Sequence, residues 1–305
     1  MRKILYKIIL LFFISMSFAS TGAKSHSAEL LHVGRYIPLA TNNSFLFTAK
    51  TFSSLSSRKV DVYNINSVGQ LEKYREISSP NPMSGDDFGF SIAASEKHLL
   101  IGAPGYNDGH GIAYLYELKD NIWTLVKTYE NPVSYQDKGY PHKFGYNVAI
   151  SDKYLSISSP FNNDGVVYIY DLGSIDDNRI SSKLVDKVDV RELGDVEGCY
   201  AIGPDQFGFG ISTSFKNNKL VIGSLKDFVY LVEYQDGIPF GTEILNPTDG
   251  EEMERYKFGQ TVYLGSKNLY ISSLASDMGK GKVFVYPYLD GLNRTDENPW
   301  SKPYE

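Results

Sequence analysis

The passage from Asp87 to Leu118, DFGFSIAASEKHLLIGAPGYNDGHGIAYLYEL, is written several times along this chain. It reads as a Phe-Gly, a short alternating run, a polar turn, an apolar run ending Gly-Ala-Pro, an Asn-Asp-Gly turn and a second alternating run. That is the pattern of strands joined by tight connections. It returns at Lys143 (KFGYNVAISDKYLSISSPFNNDGVVYIYDL), at Gln206 (QFGFGISTSFKNNKLVIGSLKDFVYLVEY) and at Lys257 (KFGQTVYLGSKNLYISSLASDMGKGKVFVYPY). A worn copy without the Phe opens at Gly34. The Phe-Gly pairs at Phe88, Phe144, Phe207 and Phe258 are 56, 63 and 51 residues apart. The third runs end at Tyr63, Tyr116, Tyr170, Val232 and Tyr286, spaced by 53, 54, 62 and 54. Two independent marks agree on five units of roughly 55 residues, and a fixed period of this order signals a repeat architecture.

Within a unit the local physics favours strands throughout. Phe90, Ile92 and Ala94 alternate with Ser91, Ala93 and Ser95 at period two. Leu99-Leu100-Ile101 is apolar on both faces, as expected of a strand sandwiched between neighbouring sheets. Pro104 ends that strand because it cannot donate to a ladder. Asn107-Asp108-Gly109 and Asn162-Asn163-Asp164-Gly165 supply residues tolerant of positive φ, which hairpin turns require. A fourth strand is expected at Ile122 to Tyr129, with weaker candidates at Leu71 to Ile77, Lys183 to Val190 and Pro239 to Leu245. No 3.6-residue apolar period stands out, so no helix is expected.

Phe88-Gly89 followed by Gly102-Ala103-Pro104 resembles the FG-GAP repeat, the blade unit of β-propellers in integrin α-subunits, a fungal lectin and many bacterial exported proteins. The likeness is strongest in the second repeat. In the third, Ser158-Ser159-Pro160 replaces Gly-Ala-Pro, and the fourth and fifth keep Gly223-Ser224-Leu225 and Ser272-Ser273-Leu274. The resemblance implies an all-β fold, a β-propeller of about five four-stranded blades. In it the Phe fills space between blades and the following Gly lets backbones approach. One repeat cannot bury both its faces alone, whereas five around an axis can. The segments available to close the ring are Ala28 to Val33 and the tail after Tyr288.

The chain has 305 residues, and its first 28 read as a secretory signal with cleavage near residues 19–28. Arg2, Lys3 and Lys7 precede an apolar run from Ile8 to Phe18. A helix of that length spans about 16 Å, short of the roughly 30 Å of a bilayer core. Residues 29–305 are then expected to form a single propeller domain, secreted, periplasmic or at the cell surface. The formal net charge of −6 becomes −9 when the leader's three cations are removed, which argues against nucleic acid. Cys199 is the only cysteine, so no internal disulfide forms. Asn42-Asn43-Ser44 and Asn293-Arg294-Thr295 match glycosylation sequons.

The residues carry little catalytic signal. Calcium sites in the resembled family occupy an Asp-rich loop before the Gly-Ala-Pro strand. Here the corresponding loops are short and lysine-bearing, as in Ser151-Asp152-Lys153, so no metal and no cofactor is expected. The five histidines show no ligand spacing, and no nucleophile elbow or phosphate loop is present. Asp86-Asp87, Asp176-Asp177 and Glu251-Glu252 read as solvated loop charges.

In four-stranded blades the loops between strands two and three share a face with the links between blades. That face would gather Tyr106, Asn107, Asp108, His110, Tyr135, Tyr140, His142, Phe161, Tyr200 and Tyr256. Loops on a rigid scaffold are where recognition concentrates. The expectation is an exported, non-enzymatic binding or adhesion propeller recognising an extracellular or periplasmic protein or glycan. A carbohydrate-binding lectin and an enzyme with a pore-lining site are the alternatives.

Overall fold

The computed structural model describes residues 38–49, 59–133, 141–162, 165–172, 175–176, 179–180, 183–189, 209–224, 228–245, 258–273 and 281–287. Five antiparallel sheets follow one another along the chain and form a five-bladed β-propeller. The first blade holds β1 (Leu39–Thr41), β2 (Phe45–Ala49), β3 (Lys59–Ile65) and β4 (Leu71–Ser78). The second holds β5 (Ser91–Ala94), β6 (His98–Ala103), β7 (Ile112–Lys119) and β8 (Ile122–Glu130). The third is built of β9 (Val148–Ile150), β10 (Tyr154–Ser159), β11 (Val166–Asp171) and β14 (Lys183–Asp189). A two-residue hairpin, β12 (Ile175–Asp176) with β13 (Arg179–Ile180), is inserted before its last strand. The fourth holds β15 (Ser212–Lys216), β16 (Lys219–Gly223), β17 (Val229–Gln235) and β18 (Ile238–Leu245). The fifth shows three strands among the described residues, β19 (Phe258–Leu264), β20 (Asn268–Ser273) and β21 (Lys282–Pro287). The worn first repeat is thus a complete blade. The segments expected to close the ring lie outside the described residues.

First strands of successive blades pack on each other, β1 on β5, β5 on β9, β9 on β15 and β15 on β19, which places them innermost. The period-two pattern of the second strands assigns their side chains to alternate interfaces. Leu99 and Ile101 join Phe47, Val60 and Val62 between blades one and two, while Leu100 joins Leu155 and Ile157 between blades two and three. Leu220 and Ile222 face the third blade and Val221 the fifth. This is why an apolar run with no polar face is needed at each second strand. Pro104 stands just beyond β6, as expected.

In each four-stranded blade a bulge interrupts the ladder between strands three and four. The breaks fall at Val62/Tyr63, Leu115/Tyr116, Ile169/Tyr170 and Val232/Glu233. A bulge twists the outermost strand, which blunts an edge otherwise open to pairing with another chain.

Two sequence expectations are corrected. The fourth blade enters its sheet through Phe209-Gly210, not Phe207-Gly208. Gly210 N–H donates to the Gly223 carbonyl at 2.9 Å, as Gly89 does to Gly102 and Gly145 to Ser158. Phe209, like Phe88, Phe144 and Phe258, is fully buried. QFGFG offers two adjacent pairs, and packing selected the second. The other correction is a short helical turn, α1 (Tyr106–Gly109), in the loop after β6. Asn107 and Asp108 there have φ of 48° and 54°, so positive φ was rightly expected, but in a coiled turn rather than a hairpin. True two-residue hairpin turns occur instead at Asp120-Asn121 and Asp236-Gly237, both with positive φ.

The Asn42 sequon is structurally committed. Its side-chain amide donates to the Ser95 carbonyl at 2.8 Å, and its Oδ1 accepts the Phe45 N–H at 2.8 Å, linking blades one and two. A glycan on that nitrogen would break the link.

Candidate functional site

The loop between strands two and three of a blade and the links between blades meet on one face. Gly105 N–H donates to the Asp86 carbonyl at 3.1 Å, joining the second blade's loop to the preceding link. Lys143 N–H donates to the Gly109 carbonyl at 2.8 Å and Phe144 N–H to that of His110 at 3.2 Å, joining the same loop to the following link. Asp87 and Lys143, each immediately before a Phe-Gly, both adopt positive φ (56° and 57°), so each link turns into its blade in the same way.

Asn131, the first residue after β8, organises this junction. Its amide donates to the His110 carbonyl at 3.1 Å and lies 3.2 Å from His142 Nδ1, while its Oδ1 accepts the Val133 N–H at 3.1 Å. With the amide oriented by those bonds, Nδ1 of His142 is the acceptor and the proton sits on Nε2. The rings of His110 and His142 lie 5.7 Å apart, and the Ser159 hydroxyl donates to the His142 carbonyl at 2.8 Å. Burial lowers the pKa of His110 from its ordinary value, and the Glu130 carboxylate only partly opposes this.

Of the sequence-predicted residues, Asn107 and Asp108 are exposed and Tyr106 and His110 half-buried on this face. His142 is buried and serves to hold the link. Phe161 is 45% exposed. Tyr135, Tyr140, Tyr200 and Tyr256 lie outside the described residues. The structure adds two aromatics that sequence reasoning missed. Phe90 packs on Tyr146 at 4.8 Å between centroids, and Tyr146 meets Phe161 edge-on at 5.5 Å. Phe90 and Tyr146 each follow a Phe-Gly directly, so they stand where the innermost strands begin. That shared position was the available signal.

Asp86 is also corrected. It is not a solvated loop charge: it is 1% exposed, and its Oδ1 accepts the Phe88 N–H at 3.1 Å. Among the described residues no three His, Cys, Asp or Glu side chains converge as a metal site, and no helix is long and apolar enough to cross a membrane.

A family model described as the FG-GAP repeat matches residues 73–116, from β4 through most of β7. No curated protein matches the chain. Among solved structures it is similar to the computationally designed Ika4 protein, at 12% identity and a TM-score of 0.37, over 65% of this chain and 89% of that one. The matched segment carries Phe88-Gly89 and Gly102-Ala103-Pro104, and the same backbone contacts recur in the later blades, so the chain is a five-bladed β-propeller whose residues 73–116 form an FG-GAP repeat.

Proposed function

We propose that this chain is an exported, non-enzymatic binding propeller that recognises a protein or glycan through the face described above. The observation that carries this reading is the row Phe90, Tyr146 and Phe161, which brings aromatic surface from two blades together and leaves nearly half of Phe161 exposed to water. Aromatic groups held by a rigid scaffold lose little entropy on binding and supply much of the energy at interfaces. Asn107 and Asp108, exposed on the neighbouring loop, add hydrogen-bonding groups suited to either a peptide or a sugar. The leader-like start, with Arg2, Lys3 and Lys7 before an apolar run, supports export.

Capture from extracellular and periplasmic fractions, run beside a glycan array, tests this reading. The chain beginning at Glu29 is compared with its Tyr146→Ser/Phe161→Ser variant. Loss of capture in the variant supports the aromatic row as the contact, and array signals lost in the same variant identify the ligand as a glycan. Undiminished capture by the variant refutes the assignment of the face.

A further inference from the structure

Two pockets on the loop face occupy the same place in successive blades, yet their contents differ. Counted from Phe-Gly, Asp86 corresponds to His142, and counted from the end of the fourth strand, Ser79 corresponds to Asn131. Tyr114, opposite Ile101, corresponds to Tyr168, opposite Ile157. The Phe88 and Tyr114 rings are 5.7 Å apart, and those of Phe144 and Tyr168 are 5.6 Å apart.

In the pocket between blades two and three the polar groups satisfy one another. Asn131 meets His142, and the Asn162 amide donates to the Tyr168 hydroxyl at 3.2 Å. Between blades one and two one oxygen is left over. Asp86 Oδ2 is buried and has no hydrogen-bond partner. Ser79 Oγ and the Tyr114 hydroxyl are also buried; the hydroxyl faces Ser79 and Asn81 at hydrogen-bonding reach and lies near the Asp86 carboxylate. Relative exposure is 1% for Asp86, 6% for Ser79 and 0% for Tyr114. None of the ion pairs among the described residues involves Asp86. A buried carboxylate oxygen with neither a bond nor a counter-charge is costly, and native structures supply a partner for such a group.

We propose that this pocket binds a hard monovalent cation, sodium or potassium, on Asp86 Oδ2 with Ser79 Oγ and the Tyr114 hydroxyl oxygen as neutral donors. Hard cations select oxygen ligands, and Asp86 Oδ2, Ser79 Oγ and the Tyr114 hydroxyl all present oxygen. Hydroxyl protons rotate away to present lone pairs inward. One carboxylate balances one positive charge, whereas a divalent ion would keep an uncompensated charge at a depth where that is expensive. The ion would tie the end of β4, the link before Phe88 and β7 together beneath the loop that carries Tyr106, Asn107 and Asp108.

The test is thermal unfolding of the chain beginning at Glu29 at fixed ionic strength, in sodium, potassium or tetramethylammonium chloride. A saturable rise in melting temperature with sodium or potassium over tetramethylammonium is expected, and the larger effect names the ion. Asp86→Asn should weaken the apparent affinity roughly tenfold or more, the loss expected for a charge-assisted contact. Ser79→Ala and Tyr114→Phe should weaken it less and still fold, so the test survives if Asp86→Asn does not fold. Equal melting in all three salts overturns the proposal in favour of a bound water. So does a sodium or potassium response unchanged in all the folded variants.

Discussion

A Cβ built on Gly102 would stand 2.0 Å from the carbonyl oxygen of Gly145, the glycine of the next blade's Phe-Gly. The contact recurs between Gly223 and Gly259 at 1.9 Å. Where the third blade carries Ser158 instead of glycine, a Cβ on Gly210 would lie 2.9 Å from that of Ser158. The Gly145 carbonyl also accepts the Ser91 hydroxyl at 2.9 Å. The two short motifs of the repeat are therefore opposite sides of one interblade contact, in which backbone touches backbone.

Gly102→Ala is expected to destabilise the propeller by roughly 1–3 kcal/mol or more, because a methyl group would meet the rigid Gly145 backbone and displace the Ser91 hydroxyl that bonds to it. Gly69 has open space around its Cβ position, with φ of 79°. Gly69→Ala should cost only about 1 kcal/mol, the strain of a left-handed alanine. Urea unfolding of the two variants measures both, and equal costs would refute the close approach.

Phe209→Ala should cost about 3–5 kcal/mol, the usual loss for a buried phenylalanine, since the ring is fully buried and stacks 5.9 Å from Phe228. Chemical unfolding that shows no loss would return the motif register to Phe207.

Removing the Asn131 side chain leaves the His110 carbonyl and His142 Nδ1 without their shared donor. Asn131→Ala should lower stability by about 1–3 kcal/mol. It should also speed amide exchange at Lys143 and Phe144, which bond to the same loop. Unchanged exchange at those two amides would show that the junction is held by other contacts.

Acid should destabilise the fold through His98 and His110. Burial lowers both from the ordinary value of 6.5. At His98 Lys97 adds to this, while Glu117 and Asp152 oppose it. The unfolded chain then binds protons more readily than the native one, so stability is intact above pH 6.5 and falls as pH drops through that value toward the lower native ones. Melting temperature recorded from pH 8 to pH 5 should decline in that window. His98→Gln/His110→Gln should flatten the decline, and the same slope in this variant would remove the histidines from the explanation.

Alkali acts in the opposite direction. Burial pushes the phenols of Tyr168 and Tyr286 up to about 12 from an ordinary 10.0, with Asp189 adding to the effect at Tyr168 and Asn162 opposing it. Tyr116, Tyr170 and Tyr234 are raised further, chiefly by burial. Unfolded tyrosines ionise first, so stability is lost as pH rises above 10. Absorbance at 295 nm should show an exposed class near pH 10 and a second class released only on unfolding. A single smooth titration would contradict the buried positions.

Much of this architecture could be read from residue order, because a repeated local pattern carries both its strand period and its turn residues. The apolar run Leu99-Leu100-Ile101 required a strand covered on both faces, and it is. The alternation starting at Ile112 and the proline after Ala103 set the ends of their strands. Local pattern did not choose between Phe207 and Phe209, since both precede glycine and only the fit against Gly165 and Ser158 distinguishes them. Asp86 looked like any loop carboxylate. Its burial follows from the loop after β6 closing over it, a contact with a residue, Gly105, far along the chain. Phe90, Tyr146 and Phe161 meet because separate blades turn the same corner. Short-range propensity acts through neighbours along the backbone and is visible in the sequence. Burial, pairing and the gathering of side chains on one face arise from contacts between distant segments, and those exist only once the sheets have packed.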